Sequence, residues 1–397
     1  MVRFSGKGAA GAKRKHTRVM DIPAADKYCG IAFVMNRFYL SILIAMTIFS
    51  SIAKPLPASQ VAAMEAILAD FNQPDAPGAS VMIVHDGAVI FSKGYGLADL
   101  ETKTPITPET NFRLASVSKQ FTAMAVLILR ERGKLSLDEN LLAFFPEFPA
   151  FGRQITVRHL LTHTSGLLAY EDLIPEGTTI PVLDQDVLRI LMTNGATNTT
   201  PTYFPEGSQY RYSNSAYALL ALIVQARSGQ TFAHFLKENI FTPFGMTNTL
   251  AYEAGSSAVP NRSYGHSLRT NGWQRTDQSL TSSVLGDGGI YSSVNDLCKW
   301  DQALYTTKLV SAKALEEAFT PKTPTDKPGK SYGYGWYLTE HRDVKQIWHS
   351  GESIGFRTRL VRIPDKKFCV IILANRSDKK LEEKAEQIID LVLLQGR

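Results

Sequence analysis

The sequence predicts an α+β fold: one antiparallel sheet built from both ends of the chain, flanked by terminal helices, with a large, mostly helical insert between them. Three observations carry this. Runs of β-branched and aromatic residues lie near both termini, both termini also carry apolar residues at helical spacing, and residues from about 116 to 285 read mainly as helices and long loops.

From Ser59, the residues Val61, Met64, Ile67, Leu68 and Phe71 recur on one helix face, and Pro74, Pro77 and Gly78 end it. A hairpin follows, Val81 to Val84 and Ala88 to Phe91, around an Asp86-Gly87 turn. In the insert, Gly133 is a helix C-cap, Ser136-Leu137-Asp138-Glu139 a capping box, and Tyr217 to Ala226 a buried helix. Four strands then follow at Tyr334 to Thr339, Val344 to Trp348, Phe356 to Ile363 and Phe368 to Ala374, the last two joined across Pro364-Asp365. A closing helix carries Leu381, Ala385, Ile388, Ile389 and Val392. The sheet region is therefore about 54–115 and 286–397, the helical region about 116–285, within one domain of 54–397.

With 397 residues, 44% hydrophobic and 20% charged, the chain is neither disordered, collagenous nor a disulfide scaffold. Its formal charge of +6 lies wholly before Lys54, where Arg3, Lys7, Lys13, Arg14, Lys15, Arg18, Lys27 and Arg37 oppose only Asp21 and Asp26. The remainder is neutral, so a nucleic-acid partner has no electrostatic support. The uncharged run Phe38 to Ala53 follows Arg37 and falls short of the roughly 20 residues that span a bilayer. With small residues at Ser51-Ile52-Ala53, it reads as a secretory signal over 1–53, cleaved after Ala53, with translation starting at Met35 or Met20. The competing reading is an uncleaved inner-membrane anchor. Either puts the body outside the cytoplasm, periplasmic or secreted. Once Cys29 leaves with the signal, Cys298 in a helix-like stretch and Cys369 in a strand-like one are expected as buried free thiols.

A Ser-x-x-Lys pair opening a helix sets a hydroxyl and an amine one turn apart on one face, which is what an acylating serine with a local base requires. Three such pairs occur: Ser51/Lys54, Ser116/Lys119 and Ser377/Lys380. The first lies in the leader and the third in a charged surface turn, whereas Ser116 opens an apolar helix whose dipole favours a developing oxyanion. Tyr212-Ser213-Asn214 and His349-Ser350-Gly351 follow in the chain.

In that order these motifs resemble the serine β-lactamase and penicillin-binding-protein superfamily, in the branch of class C β-lactamases, DD-peptidases and related esterases. The resemblance extends from about Gly78 to Asn375 through ITVRHLLTHTSGL at 155–167, FPEGSQYRYSN at 204–214, PFGM at 243–246, GDGGIYSS at 286–293 and Gly355-Phe356. It implies that Ser116 is the acylated nucleophile and that Lys119 and Tyr212 handle its proton; whichever of the two acts as base must lose its proton far below its reference value of about 10, which two such groups beside another cation can help each other do, and which is the base stays open. It further implies that Asn214 binds the substrate's amide or ester side chain and orients Lys119, and that the N–H groups of Ser116 and Glu352 form the oxyanion hole. One position departs. Class C enzymes carry Lys in the third motif, and here His349, with a reference pKa near 6.5, makes anion recognition weaker and pH-dependent, which argues against a dedicated β-lactamase. Arg357 is the candidate for supplying the missing charge.

His159 and His163 are spaced as helix neighbours but lack the glutamate of a zinc-protease helix, so they read as structural and no metal or cofactor is implied. The aromatics of YGYGW at 332–336 read as sheet packing rather than as a substrate platform. The expected activity is that of an exported serine hydrolase acting through an acyl-enzyme on esters or on D-amino-acid and peptidoglycan-type amides. The alternatives are a true β-lactamase and a penicillin-recognising protein with little turnover. The partner is a small-molecule or peptidoglycan-derived substrate.

Overall fold

The computed structural model describes residues 56–394, so the leader, its cleavage after Ala53 and the Ser51/Lys54 pair lie outside the described residues. Eight strands form the main sheet: β1 (Ala79–His85), β2 (Ala88–Tyr95), β3 (Thr323–Pro324), β4 (Ser331–Tyr332), β5 (Tyr337–His341), β6 (Val344–Ser353), β7 (Phe356–Ile363) and β8 (Phe368–Ala374). Their spatial order is β3-β4-β5-β6-β7-β8-β1-β2, with every adjacent pair antiparallel. The two chain ends meet at β1 and β8, paired from Ala79↔Ala374 to His85↔Phe368.

Strand periodicity divides the core between the two sheet faces. Val81 and Ile83 of β1 pack with Val370 and Ile372 of β8 against α1 (Ala58–Ile67) and the C-terminal helix (Glu382–Ile389). Met82, Val84, Ile371 and Leu373 face the helical region instead. Both faces of β1 and β8 are covered, which is why these strands are almost continuously apolar rather than alternating. At the hairpin tip, Asp86 (φ 51°) and Gly87 (φ 77°) both adopt left-handed backbone, as a two-residue turn matching the strand twist requires.

Three local readings differ from the sequence pattern, each for a physical reason. The strand expected from Tyr334 begins only at Tyr337, because Gly335 (φ 82°) turns the chain against α2 (Lys119–Glu131) and lets Tyr334 and Trp336 enter the core. Strand β6 continues from the expected Trp348 to Ser353, since His-Ser-Gly-Glu-Ser hides a strand that pairs with β7 alone. Residues 136–139 make only half of a capping box and form a turn: Glu139 Oε1 accepts from Ser136 N–H, but Ser136 Oγ accepts from Asp138 N–H and Glu139 N–H goes to Ser136 O. Leu137 O and Glu139 O are taken by the Arg158 and Val157 amides, so no helix propagates. Gly133 (φ 65°) does end α2. The helical region also carries short strands, Leu250–Ala251 between them and the His266–Arg269/Gly272–Arg275 hairpin. Cys369 is buried and Cys298 half-buried, both as free thiols.

Candidate active site

Ser116 lies in a 3-10 turn, Ala115–Ser118, that runs into α2. The preceding Ala115 holds φ 48°, a left-handed conformation costly to a residue with a Cβ and characteristic of constrained functional turns. Past Trp348, β6 has no partner on the β5 side, so residues 349–353 present an open edge toward this turn. Gly351 permits the approach: a Cβ there would sit 2.1 Å from Leu114 O and 2.3 Å from Thr358 Oγ1. Thr358 Oγ1 itself donates to Leu114 O at 2.7 Å, tying β7 to the residue before the nucleophile turn. Ser116 and Glu352, the two implied oxyanion donors, line one cavity of about 120 Å³ with Asn214.

The Lys119 amine is fully enclosed, 3.2 Å from Ser116 Oγ, 2.8 Å from Asn214 Oδ1 and 2.7 Å from Asp287 O. Asn214 is the first residue of α3 (Asn214–Ser228), and Ser213 Oγ caps that helix by accepting from Ala216 N–H at 3.1 Å. Its Nδ2 donates to Glu171 Oε1 at 2.7 Å, which fixes the amide orientation and turns Oδ1 toward Lys119. Glu171 sits on a turn held by Ser215, whose Oγ accepts from Tyr170 N–H at 2.9 Å and donates to Leu168 O at 2.6 Å. Asp287 O reaches Lys119 because Gly286 crosses α3 closely; a Cβ there would lie 2.2 Å from Tyr217 O. Ser213→Ala is expected to cost about 1 kcal/mol through loss of the cap. Urea unfolding checks this, and an unshifted midpoint would show that the cap does not anchor Asn214.

Burial brings the Lys119 ammonium down to about 8, against the opposing fields of Asp287 and Glu171. Burial likewise raises the Asp287 carboxyl, while its Oδ2 accepts from Tyr170 Oη at 3.0 Å. Tyr212 moves the other way from expectation. Desolvation, then the neighbouring Tyr337, hold it well above the ordinary phenol value; Ser116 eases its ionisation only in part. Its hydroxyl makes no hydrogen bond, and Lys119 Nζ lies 5.0 Å from its ring centroid. Mutual lowering of the two pKa values, as the motif alone suggested, therefore does not occur.

His349 also needs correcting. Burial first and Lys119 second depress it to about 3, so it is neutral across the physiological range and gives no pH-dependent anion recognition. Its Nδ1 lies 2.7 Å from Ser350 O, which can only accept; Nε2 therefore accepts, at 3.1 Å, from Tyr332 Oη. Tyr332 is thus a partner of the third motif as well as a packing residue. Ser350, Glu352 and Arg357 line a second groove of about 700 Å³ running toward residues 377–386. Arg357 Nη1 donates to Ser353 O and Phe356 O, both at 2.8 Å, and Arg357 is not among the residues of the Ser116 cavity.

The histidine pair separates. His159 closes a capping box on Thr156, whereas His163 lies beyond that helix at φ 59°, buried against Tyr212, Tyr217 and Tyr332. Among the described residues no group of three metal-ligating side chains converges. Sequence reasoning missed Glu171 and the role of Asp287. The only signal was that Asp287 falls within the Gly286–Ser293 resemblance, and Glu171 carried none.

The sequence family described as Beta-lactamase matches residues 61–394. The chain is 32% identical over 321 residues to penicillin-binding protein 4* of Bacillus subtilis (strain 168), covering 77% of this chain and 70% of that protein. It is 32% identical over 307 residues to the D-aminopeptidase of Brucella anthropi, covering 75% of this chain but only 56% of that one. Among solved structures, the octameric penicillin-binding protein homologue from Pyrococcus abyssi superposes with a TM-score of 0.74 at 27% identity, over 84% of this chain and 77% of that one. The D-amino acid amidase from Ochrobactrum anthropi SV3 shares the fold, with a TM-score of 0.72 at 22% identity over 84% of this chain and 99% of that one. With the family matched across nearly all the described residues and Lys119 within hydrogen-bond reach of both Ser116 and Asn214, the chain belongs to the beta-lactamase family and is a serine hydrolase of its penicillin-binding-protein-like kind.

Proposed function

We propose that the protein is an exported hydrolase that forms an acyl-enzyme at Ser116 with small D-amino-acid amides, peptides or esters of the peptidoglycan type. The observation that carries this reading is the set of acceptors around Lys119. Asn214 Oδ1 and Asp287 O can only accept, so a neutral amine spends both its N–H bonds on them. Its lone pair then faces Ser116 Oγ, 3.2 Å away.

Lys119 takes the Ser116 proton as Oγ bonds to the substrate carbonyl carbon, and the N–H groups of Ser116 and Glu352 receive the oxyanion. Tyr212, kept as a phenol, donates its proton to the departing nitrogen or oxygen and regains one from the Lys119 ammonium. The bond to the leaving group breaks, and water then deacylates Ser116 with Lys119 again as base. The neutral His349 offers no fixed charge to a β-lactam carboxylate, which favours amide or ester substrates over β-lactams. The names of the D-aminopeptidase and amidase relatives point to the same substrate class. Export rests on the basic and apolar pattern of residues 1–53.

D-alanine 4-nitroanilide is expected to be cleaved faster than its L isomer, with no turnover by Ser116→Ala. Intact mass after benzylpenicillin treatment is expected to show one penicilloyl group on the protein and none on Ser116→Ala. Rapid consumption of penicillin without an adduct would favour a β-lactamase instead, and cleavage of neither isomer would refute the substrate class.

A further inference from the structure

Four arginines are buried among the described residues: Arg113, Arg359, Arg362 and Arg376. Three of them face a carboxylate. Arg359 Nη2 is 3.7 Å from Glu382, Arg362 Nε 2.5 Å from Asp301 and Arg376 Nε 2.7 Å from Asp378. Arg113, only 3% exposed, has no carboxylate within ion-pair distance among the described residues, and its Nε and Nη1 make no hydrogen bond.

The local fold explains how the charge arrives there. Phe112–Arg113 is a two-residue strand paired with Ile290–Ser292, and Phe112 enters the main core. Alternation sends Arg113 to the opposite face, where it lines the Ser116 cavity. A guanidinium cannot shed its proton to escape burial, and a buried charge with no partner is strongly disfavoured unless something completes it.

The carboxylates of the same cavity are engaged elsewhere. Glu171 holds Asn214, Asp287 Oδ2 accepts from Tyr170, and the exposed Glu352 side chain lies 3.9 Å from Arg357. Ser279 and Ser282, whose hydroxyls lie 3.2 Å apart, line the same cavity. Tyr212, the donor to the leaving group, is not among the residues that line the Arg113 cavity, which fits an acyl-side position for that cavity.

We infer that Arg113 is the receptor for a carboxylate on the acyl portion of the substrate, taken up in the cavity that its guanidinium shares with Ser279 and Ser282. The inference rests on Ser116 being the nucleophile proposed above, and it adds which acyl groups reach it.

The test compares the α-4-nitroanilides of D-aspartate and D-asparagine, which differ in charge and hardly in shape. The wild type is expected to favour D-aspartate by at least about tenfold in kcat/KM, and Arg113→Met to bring that ratio to about one. Arg113→Lys, which keeps a charge but not the forked donors, should retain part of the preference and serves if the methionine variant does not fold. A wild-type ratio of one or below, or a ratio unchanged in the variants, overturns the inference. If neither anilide is cleaved, the ratio is read with monoethyl succinate and ethyl butyrate. Turnover that survives in Ser116→Ala, or the absence of turnover with all four compounds, refutes the nucleophile assignment instead.

Discussion

Lys119→Met is expected to lower kcat/KM for D-alanine 4-nitroanilide by about a thousandfold or more while leaving the circular dichroism spectrum unchanged. Methionine fills the volume of the enclosed side chain but has no lone pair to take the Ser116 proton. The wild type should show kcat/KM rising with pH, half-maximal near pH 8, because only the deprotonated amine is a base and burial has brought it down to about 8. The sign follows from the role: protonation below that value removes activity, and further rise above it adds none. Residual activity of the variant should lack this limb. A profile governed by a group near 10, or a limb that persists in Lys119→Met, would move the base to Tyr212.

Gly351→Ala is the second large effect. The added Cβ falls 2.1 Å from Leu114 O and 3.2 Å from the Ala115 Cβ, and the nearest contact is backbone, which cannot rotate away. The edge of β6 has to move off the nucleophile turn. Overpacking of this kind costs about 1–3 kcal/mol, and displacing an oxyanion donor by an ångström costs about a hundredfold in kcat. Denaturant unfolding and steady-state kinetics on the same anilide measure the two effects. Since the displacement acts on the transition state, kcat should fall more than KM rises. An unchanged kcat would mean that Glu352 is not an oxyanion donor.

The elements legible in the sequence were those whose signal is local. Strands Phe356–Ile363 and Phe368–Ala374 emerged with the expected bounds because turn residues bracket them, Gly355 before the first and Pro364-Asp365 between the two, and the second is an unbroken apolar run. The first and last helices emerged because their core faces repeat at helical spacing. Residues 349–353 of β6 were hidden because a strand that pairs on one edge and serves a site on the other need not be apolar. The 136–139 turn misled because a capping box specifies a helix start only if the following carbonyls stay free, and here residues 157 and 158 take two of them.

The same division runs through the active site. Ser116 and Lys119 lie one helical turn apart by covalent connectivity, and Tyr212 and Asn214 flank a helix N-cap, so the sequence by itself determined which reactive groups are present and in what local geometry. It could not determine their protonation. The low value of Lys119, the neutrality of His349 and the phenolic state of Tyr212 come from burial and from partners such as Asp287, Glu171 and Tyr332 that lie far away in the chain. The tertiary structure also decided that Arg113 is buried without a counter-charge beside the nucleophile and that Arg357 spends donors on backbone carbonyls. The physical reason is that a side chain's chemical type is written residue by residue, whereas the free energy of its charge depends on how much water the fold removes and which dipoles it brings near.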